Sequence, residues 1–303
     1  MIKKTLYFGN PVYLCLKQEQ MLIDFKSSDK ENKTIPIEDI GLIVIDHHQV
    51  TITHGLTNAL LENNSALLWC DSRHMPNGLI LPLSGHHIFT EKLKYQLSAS
   101  EPLKKQLWKQ TVQNKIMNQA ALLRSLGFET QNMLHWATQT GSGDPKNMEG
   151  RAAAWYWKCL FEAIDKKNTT RHRYGEPPNH MFNYGYAILR AVVARSLVAS
   201  GCLPAIGIHH RNKYNAFCLA DDIMEPYRPF VDKLVLEWVM KQHSTEIPEK
   251  LSPEMKAHFL KIPVIDISIK GMKSPLMVGM QRTTASLMDC FEGLIKKINY
   301  PEM

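Results

Sequence analysis

The hydrophobic period of this chain changes once, near residues 85–91, from two to roughly 3.6, and that switch dictates a β-rich part followed by a helical one. Before it, Val12, Leu14 and Leu16 alternate with polar neighbours, Gln18-Glu19-Gln20 turns the chain, and Met21, Ile23 and Phe25 resume the alternation as a hairpin. Residues 5–8, 33–37, 42–45 and 50–53 read as further strands, and residues 57–62 as one short helix. Strands at 66–70 and 79–83 should flank a turn closed by Asn77-Gly78. Beyond residue 90, Leu93, Leu97, Leu103, Leu107, Val112, Ile116, Ala120 and Leu123 fit helices. Their other face carries Lys104, Lys105, Lys109, Lys115 and Arg124, either as a solvated face or as a phosphate-tracking one. A further helix should open at Asp144-Pro145 and run through Glu149 toward Ile164. The most apolar helix, 183–199, is stopped by Gly201, and the tail alternates briefly from Ile262 before a last helix at 284–298. The expected class is α+β: a small β-rich amino-terminal domain (1–85), a linker (86–91) and a larger all-α domain (92–303).

Composition narrows the class of partner. The 303 residues are 44% apolar and 21% charged, as in globular chains, and the formal charge of +7 favours an anionic partner, nucleic acid first. The six cysteines are scattered with no Cys-x-x-Cys pair, which removes zinc-ribbon and thioredoxin-like readings and fits free thiols in a reducing cytoplasm. The start Met1-Ile2-Lys3-Lys4 is basic, but Tyr7-Phe8-Gly9-Asn10-Pro11 follows instead of an apolar stretch, so no signal peptide is expected. The best apolar run, 187–198, contains Arg190 and Arg195 and is too short to span a membrane. A cytoplasmic protein without membrane contact is expected. No Gly-rich phosphate cradle is present, which counts against a hydrolase of small phosphorylated metabolites.

Three blocks set ionisable side chains among apolar or small neighbours, where a charge must be compensated. In Asn147-Met148-Glu149-Gly150-Arg151-Ala152-Ala153, Glu149 shares a helix face with Ala153, Tyr156 and Leu160; alone it reads more readily as an ion-paired glutamate than as a metal ligand. In Gly207-Ile208-His209-His210-Arg211-Asn212, an extended 205–208 would point the two histidines opposite ways, so one of them faces the site. In Asp221-Asp222-Ile223-Met224-Glu225-Pro226-Tyr227-Arg228-Pro229, three acids lie within about one helical turn and crowd one another. Pro226 should push Glu225 out of helical geometry. A bound cation explains this cluster in a basic chain, with neutralisation of Glu225 by Arg228 as the rival. One imidazole with carboxylates and no sulfur suits Mg²⁺ or Mn²⁺, with Zn²⁺ possible, and such a centre serves phosphodiester chemistry.

Together with Asn183-Tyr184-Gly185-Tyr186, these blocks resemble the CRISPR-associated integrase family, the universal endonuclease subunit of spacer acquisition, in the wording of type II members. The resemblance covers the whole chain, including Cys70-Asp71 before a turn. It implies Glu149, His210 and Glu225 as catalytic metal ligands for Mg²⁺ or Mn²⁺; counting from Gly207 selects His210 over His209, and Asp222 takes a supporting acidic position. It further implies attack of a DNA 3′-hydroxyl on a phosphodiester at the repeat array, a homodimer formed through the β-rich domain, and a small ferredoxin-like partner completing a heterohexamer on double-stranded DNA. Other proteins of a type II locus are possible further partners. Lys166, Lys167, Arg171 and Arg173, interleaved with His172 and Tyr174, form the densest basic stretch and are candidate phosphate contacts. The alternative is a non-catalytic DNA-binding scaffold whose acids pair with Arg228 and Arg211.

Overall fold

The computed structural model describes residues 3–25, 31–241 and 247–303; Met1 and Ile2 of the basic start lie outside them. The amino-terminal part holds β1 (Lys4–Phe8), β2 (Val12–Lys17), β3 (Gln20–Asp24), β4 (Lys33–Pro36), β5 (Ile40–Ile45), β6 (Val50–Ile52), α1 (His54–Glu62), β7 (Ala66–Cys70) and β8 (Pro76–Ile80). They make two four-stranded sheets, ordered β1-β5-β7-β8 and β4-β3-β2-β6. In the first, β1, β5 and β7 are parallel and β8 is antiparallel to β7. Every residue of β5 is buried, because its two faces serve two cores. Ile43 and Ile45 join Leu14, Met21, Leu56 and Leu67 between the sheets and α1. Leu42 and Val44 point the other way, with Ala66 and Leu68, into the core of the helical part. The period of two therefore sends one strand's side chains into both halves of the molecule.

The helical part follows as α2 (Phe89–Ser98), α3 (Glu101–Ser125), α4 (Gln131–Gln139), α5 (Met148–Ala163), α6 (Asn179–Ala199), α7 (Cys218–Met224), α8 (Arg228–Lys241) and α9 (Pro253–Phe259). The hairpin β9 (Asp266–Ile269) and β10 (Met272–Pro275) leads into α10 (Leu276–Phe291). α6 is buried on nearly every side, as an all-round apolar helix must be, and each fully buried Leu, Val or Phe contributes about 1.5–3 kcal/mol. The α+β class holds, but the β9–β10 hairpin means the carboxyl-terminal part is not purely helical. Among the described residues no helix is long and apolar enough to cross a membrane.

Several local expectations are corrected. The turn between β7 and β8 closes earlier than Asn77-Gly78, because the Asp71 carboxylate accepts the N–H groups of Arg73 (2.9 Å) and Met75 (3.0 Å), with His74 left-handed at φ 63°. Asn77-Gly78 then belongs to β8, Gly78 opposite Trp69. α5 begins at Met148 rather than at Asp144-Pro145, capped by Asn147, whose side chain accepts from Gly150 N–H. The polar helix α4 had no apolar stripe long enough to announce it, and the last helix ends at Phe291. Residues 205–208 form an irregular loop instead of an extended segment. Glu225 keeps helical geometry (φ −53°, ψ −46°) despite Pro226; the interruption is a 3-10 turn over Glu225–Tyr227 between α7 and α8.

Candidate active site

One face of α3 organises the site. Trp108, Thr111, Lys115 and Asn118 follow at steps of three and four, so they lie above one another. The buried Trp108 ring stacks on the His209 imidazole at 4.0 Å, nearly parallel, and meets the His210 ring edge-on at 5.7 Å. Thr111 bonds the Tyr300 hydroxyl at 2.8 Å. Asn118 Nδ2 donates to the carbonyls of Pro226 (2.8 Å) and Pro301 (3.0 Å), tying the 3-10 turn to α3. Between them Lys115 Nζ lies 2.7 Å from Glu149 Oε1 and 2.6 Å from Glu225 Oε2.

Each acid reaches this point by its own route. Glu149 is the second residue of α5, whose first turn is held by Asp144: its carboxylate accepts the N–H groups of Met148 and Glu149, each at 2.9 Å. Glu225 stands where α7 passes into the 3-10 turn, ion-paired to Lys115 and, through Oε1, to Arg228 Nε at 2.9 Å. Burial alone would push the Glu225 carboxyl up; Arg228 and Lys115 override it and hold it at about 2. Burial likewise works against the Lys115 charge, and Glu225 and Glu149 more than restore it.

Asp222 organises the histidine loop. Fully buried, its carboxylate accepts the N–H groups of Ile208 (2.7 Å), His209 (3.0 Å) and His210 (3.2 Å). It also lies 2.6 Å from His210 Nδ1. An ionised carboxylate only accepts, so Nδ1 donates and Nε2 is the nitrogen left for a ligand. The bond to Asp222 raises the His210 pKa against the opposing effect of burial. Gly207 makes the loop possible, since a Cβ there would stand 2.5 Å from the His210 carbonyl oxygen and 2.7 Å from Asp222 Oδ2.

Contrary to the expectation from sequence, the three acids of the 221–225 cluster do not crowd one another, because each faces a different partner. Asp221 takes Arg190 Nε and Asn215 Nδ2, both at 2.7 Å, Asp222 takes the loop, and Glu225 takes Lys115 and Arg228. Behind Glu225, the Arg228 guanidinium sits 4.5 Å over the Tyr186 ring, and Tyr186 and Tyr156 donate to Asp232 at 2.5 and 2.6 Å.

The structure thus brings Glu149 and Glu225 to one ammonium and sets His210 where the Glu225 charge acts on its ring. It does not draw the three into a ligand set: among the described residues no group of three or more His, Cys, Asp or Glu is placed to hold a metal ion. The donor chemistry still suits a hard divalent ion. The two carboxylates share one cation, and the buried Glu225 Oε2 touches Lys115 without hydrogen-bond geometry and has no other partner among the described residues. Arg211 pairs with Glu101 and not with the acidic cluster.

Lys115 does not belong to the solvated or phosphate-tracking face expected from sequence: it points inward to the carboxylates. Its signal was the polar set Thr111, Lys115, Asn118 and Gln119 at helical spacing beside the buried Leu107, Val112, Ile116 and Leu122 of α3. Trp108 carried no signal that separated it from an ordinary core residue. Of the basic loop, Lys167 and Arg173 are exposed, with Lys167 3.7 Å from Glu162 and Arg173 over the Tyr174 ring. Lys166 is half-buried in the same loop. Arg171 turns inward over Trp157, Phe182 and Tyr186 and donates to Asn179 (3.0 Å) and Asn183 (2.8 Å).

The sequence profile of the family described as CRISPR associated protein Cas1 matches residues 7–262. The chain belongs to the Cas1 family. A Cas1 relative, the CRISPR-associated endonuclease Cas1 of Neisseria meningitidis serogroup C (strain 8013), is 36% identical over 288 residues, covering 94% of this chain and 91% of that protein. A CRISPR-associated endonuclease Cas1 of Saccharolobus solfataricus is 26% identical over 240 residues, covering 74% and 71%. In fold, the chain superposes on a casposase bound to integration product with TM-score 0.78 at 18% identity, covering 99% of this chain and 93% of the other. A Cas1 protein from Thermotoga maritima gives 0.77 at 17% identity, covering 96% and 97%. A Cas6-RT-Cas1–Cas2 complex gives 0.74 at 18% identity, covering 97% of this chain and 35% of the larger one.

Proposed function

We propose that this Cas1 family member is a divalent-metal-dependent DNA endonuclease and integrase that joins short foreign DNA into a CRISPR repeat array. The observation that carries the reading is the convergence of Glu149 and Glu225, from different helices, on one cation beside an imidazole fixed by Asp222. Relatives bearing the endonuclease name and a casposase fold neighbour bound to integration product support it.

Glu149, Glu225 and His210 Nε2 would hold Mg²⁺ or Mn²⁺, which when bound polarises a phosphoryl oxygen and stabilises the displaced oxygen. The chain's own residues do the rest. Asp222 holds the His210 tautomer and keeps its loop closed, and Arg228, braced on Tyr186, fixes the Glu225 carboxylate. In the joining step a DNA 3′-hydroxyl forms a new bond to phosphorus, loses its proton to solvent, and displaces the 3′-oxygen of the target strand, so the number of phosphodiesters is conserved. Lys167 and Arg173, both exposed, would meet DNA backbone, whereas Arg171 faces the protein interior. Joining two strands calls for paired sites, consistent with a homodimer. A small ferredoxin-like partner completing a heterohexamer belongs to the same proposal; a fold neighbour is a complex that contains Cas2.

The test is strand transfer of a short duplex into a supercoiled plasmid bearing a repeat, with Mg²⁺ or Mn²⁺ supplied. Joining should require the metal and vanish in Glu149→Ala and His210→Ala; full joining by either variant removes that residue from the chemistry. The existing ion pairs of Glu149 and Glu225 favour one rival, a DNA-binding scaffold whose acids are structural. Salt-sensitive DNA binding with no metal-dependent cleavage or joining would establish the scaffold instead.

A further inference from the structure

We infer that Lys115 is a resident counter-cation: its ammonium fills the place between Glu149 and Glu225 that a divalent ion would take, so that metal enters only as Lys115 leaves for an incoming DNA phosphate. The inference rests on the reading of Glu149 and Glu225 as metal ligands.

The geometry is specific. A single ammonium touches one oxygen of each carboxylate, and its side chain is 11% exposed. A divalent ion shared by Glu149 and Glu225 would have to enter the space between these two carboxylates that the ammonium fills. Charge makes the exchange conditional. Lys115 and Arg228 already offset Glu149 and Glu225, while Asp221 is neutralised by Arg190 and Asp222 is spent on the histidine loop. A divalent ion added beside a retained ammonium would meet a like charge at contact distance in a poorly screened pocket. A phosphodiester arriving at the site supplies the missing negative charge and an acceptor for the displaced ammonium, whose four-carbon stem lets it swing while α3 stays in place. On the Glu225 side the ammonium stands 2.6 Å from Oε2, an oxygen with no other partner among the described residues. Metal and DNA then bind with positive coupling, and linkage makes the coupling reciprocal. A protein without DNA would keep a closed, neutral site.

Calorimetric titration with Mn²⁺ alone, and again with a short duplex DNA present, tests this on wild type and Lys115→Met. Without DNA, Lys115→Met should bind Mn²⁺ about tenfold tighter than wild type; duplex should tighten wild-type Mn²⁺ binding about tenfold or more and the variant's far less. A lysine that only supports the fold would weaken metal binding when removed. Unchanged or weaker Mn²⁺ binding by folded Lys115→Met therefore overturns the inference. If circular dichroism shows that Lys115→Met does not fold, Lys115→Gln takes its place, since its amide still donates to a carboxylate without charge. Wild-type Mn²⁺ binding that is lost in Glu149→Ala, but shows no gain in the Lys115 variants, sinks the counter-cation alone. No Mn²⁺ binding by wild type, with or without duplex, sinks the metal reading together with it.

Discussion

Asp222 grips His210 at two points: its carboxylate accepts the His210 backbone N–H at 3.2 Å and lies 2.6 Å from the ring Nδ1. The same group closes the Ile208 and His209 amides, so one buried side chain sets both the path of the loop and the direction of the imidazole.

Asp222→Ala should therefore lose stability and joining together. Removing a buried carboxylate that accepts several hydrogen bonds is expected to cost about 3–5 kcal/mol in urea unfolding. Asp222→Asn keeps one acceptor oxygen and should cost less. Because Asp222 raises the folded His210 pKa above its unfolded value, this stabilisation is full below the ordinary imidazole value of 6.5 and fades as pH rises through the raised folded value. NMR titration of the His210 ring should show its pKa falling in Asp222→Asn; no fall would mean that another group sets it.

Gly207→Ala tests the loop from the other side. The added Cβ meets the His210 carbonyl oxygen and the Asp222 carboxylate well inside contact distance. Overpacking of this kind costs about 1–3 kcal/mol, and relief requires His210 to shift. Joining activity should fall further than the melting temperature does; full activity with an unchanged melt would show that the loop relaxes without moving His210.

Asp232 predicts a pH dependence of stability. Burial pushes its carboxyl from 3.8 up to about 6, even though the Tyr156 and Tyr186 hydroxyls favour its charged form. A raised carboxyl pKa means the folded state binds the extra proton, so this group's contribution is full below 3.8 and is lost as pH rises toward 6. The loss is on the order of 2–3 kcal/mol by neutral pH. Asp232→Asn should flatten stability against pH between about 4 and 6. Parallel curves for variant and wild type in denaturant unfolding would contradict this.

Lys256 and Asp46 couple the β-rich part to the helical part. Lys256 Nζ of α9 lies 2.7 Å from Asp46 Oδ2 at the end of β5, both side chains are nearly inaccessible, and Tyr7 donates to the same oxygen. Lys256→Met strands a buried charge and should cost about 3–5 kcal/mol. The double variant Asp46→Asn with Lys256→Met should recover more than about 1 kcal/mol of that loss, and a double-mutant cycle measures it. Strictly additive losses would show that the pair is not coupled.

The broad outline was legible because it depends on local period. Alternation marked β2 and β3, Ile and Val content marked β5, helical spacing marked α3, an apolar run marked α6, and Gly201 at φ +80° ended α6 as its type predicts. Reading failed where a short polar element won by its own hydrogen bonds. The Asp71 side chain pre-empted the Asn77-Gly78 turn, Asn147 moved the start of α5 to Met148 while Asp144 still accepts its first N–H groups, and α4 was too short for its face to show. Candidate residues could be picked from their blocks, but their partners could not.

From the amino-acid order alone came the α+β class, the family resemblance, and through it Glu149, His210, Asp222 and Glu225 as candidate site residues, since residue type and motif spacing carry that information. Only the packed chain decided what each charge faces. Asp222 became the clamp of the histidine loop, Asp221 went to Arg190, and Lys115 came to lie between Glu149 and Glu225 from more than 30 residues away in sequence. Electrostatic energy depends on distance in space and on burial, and neither is a property of any one segment of the chain.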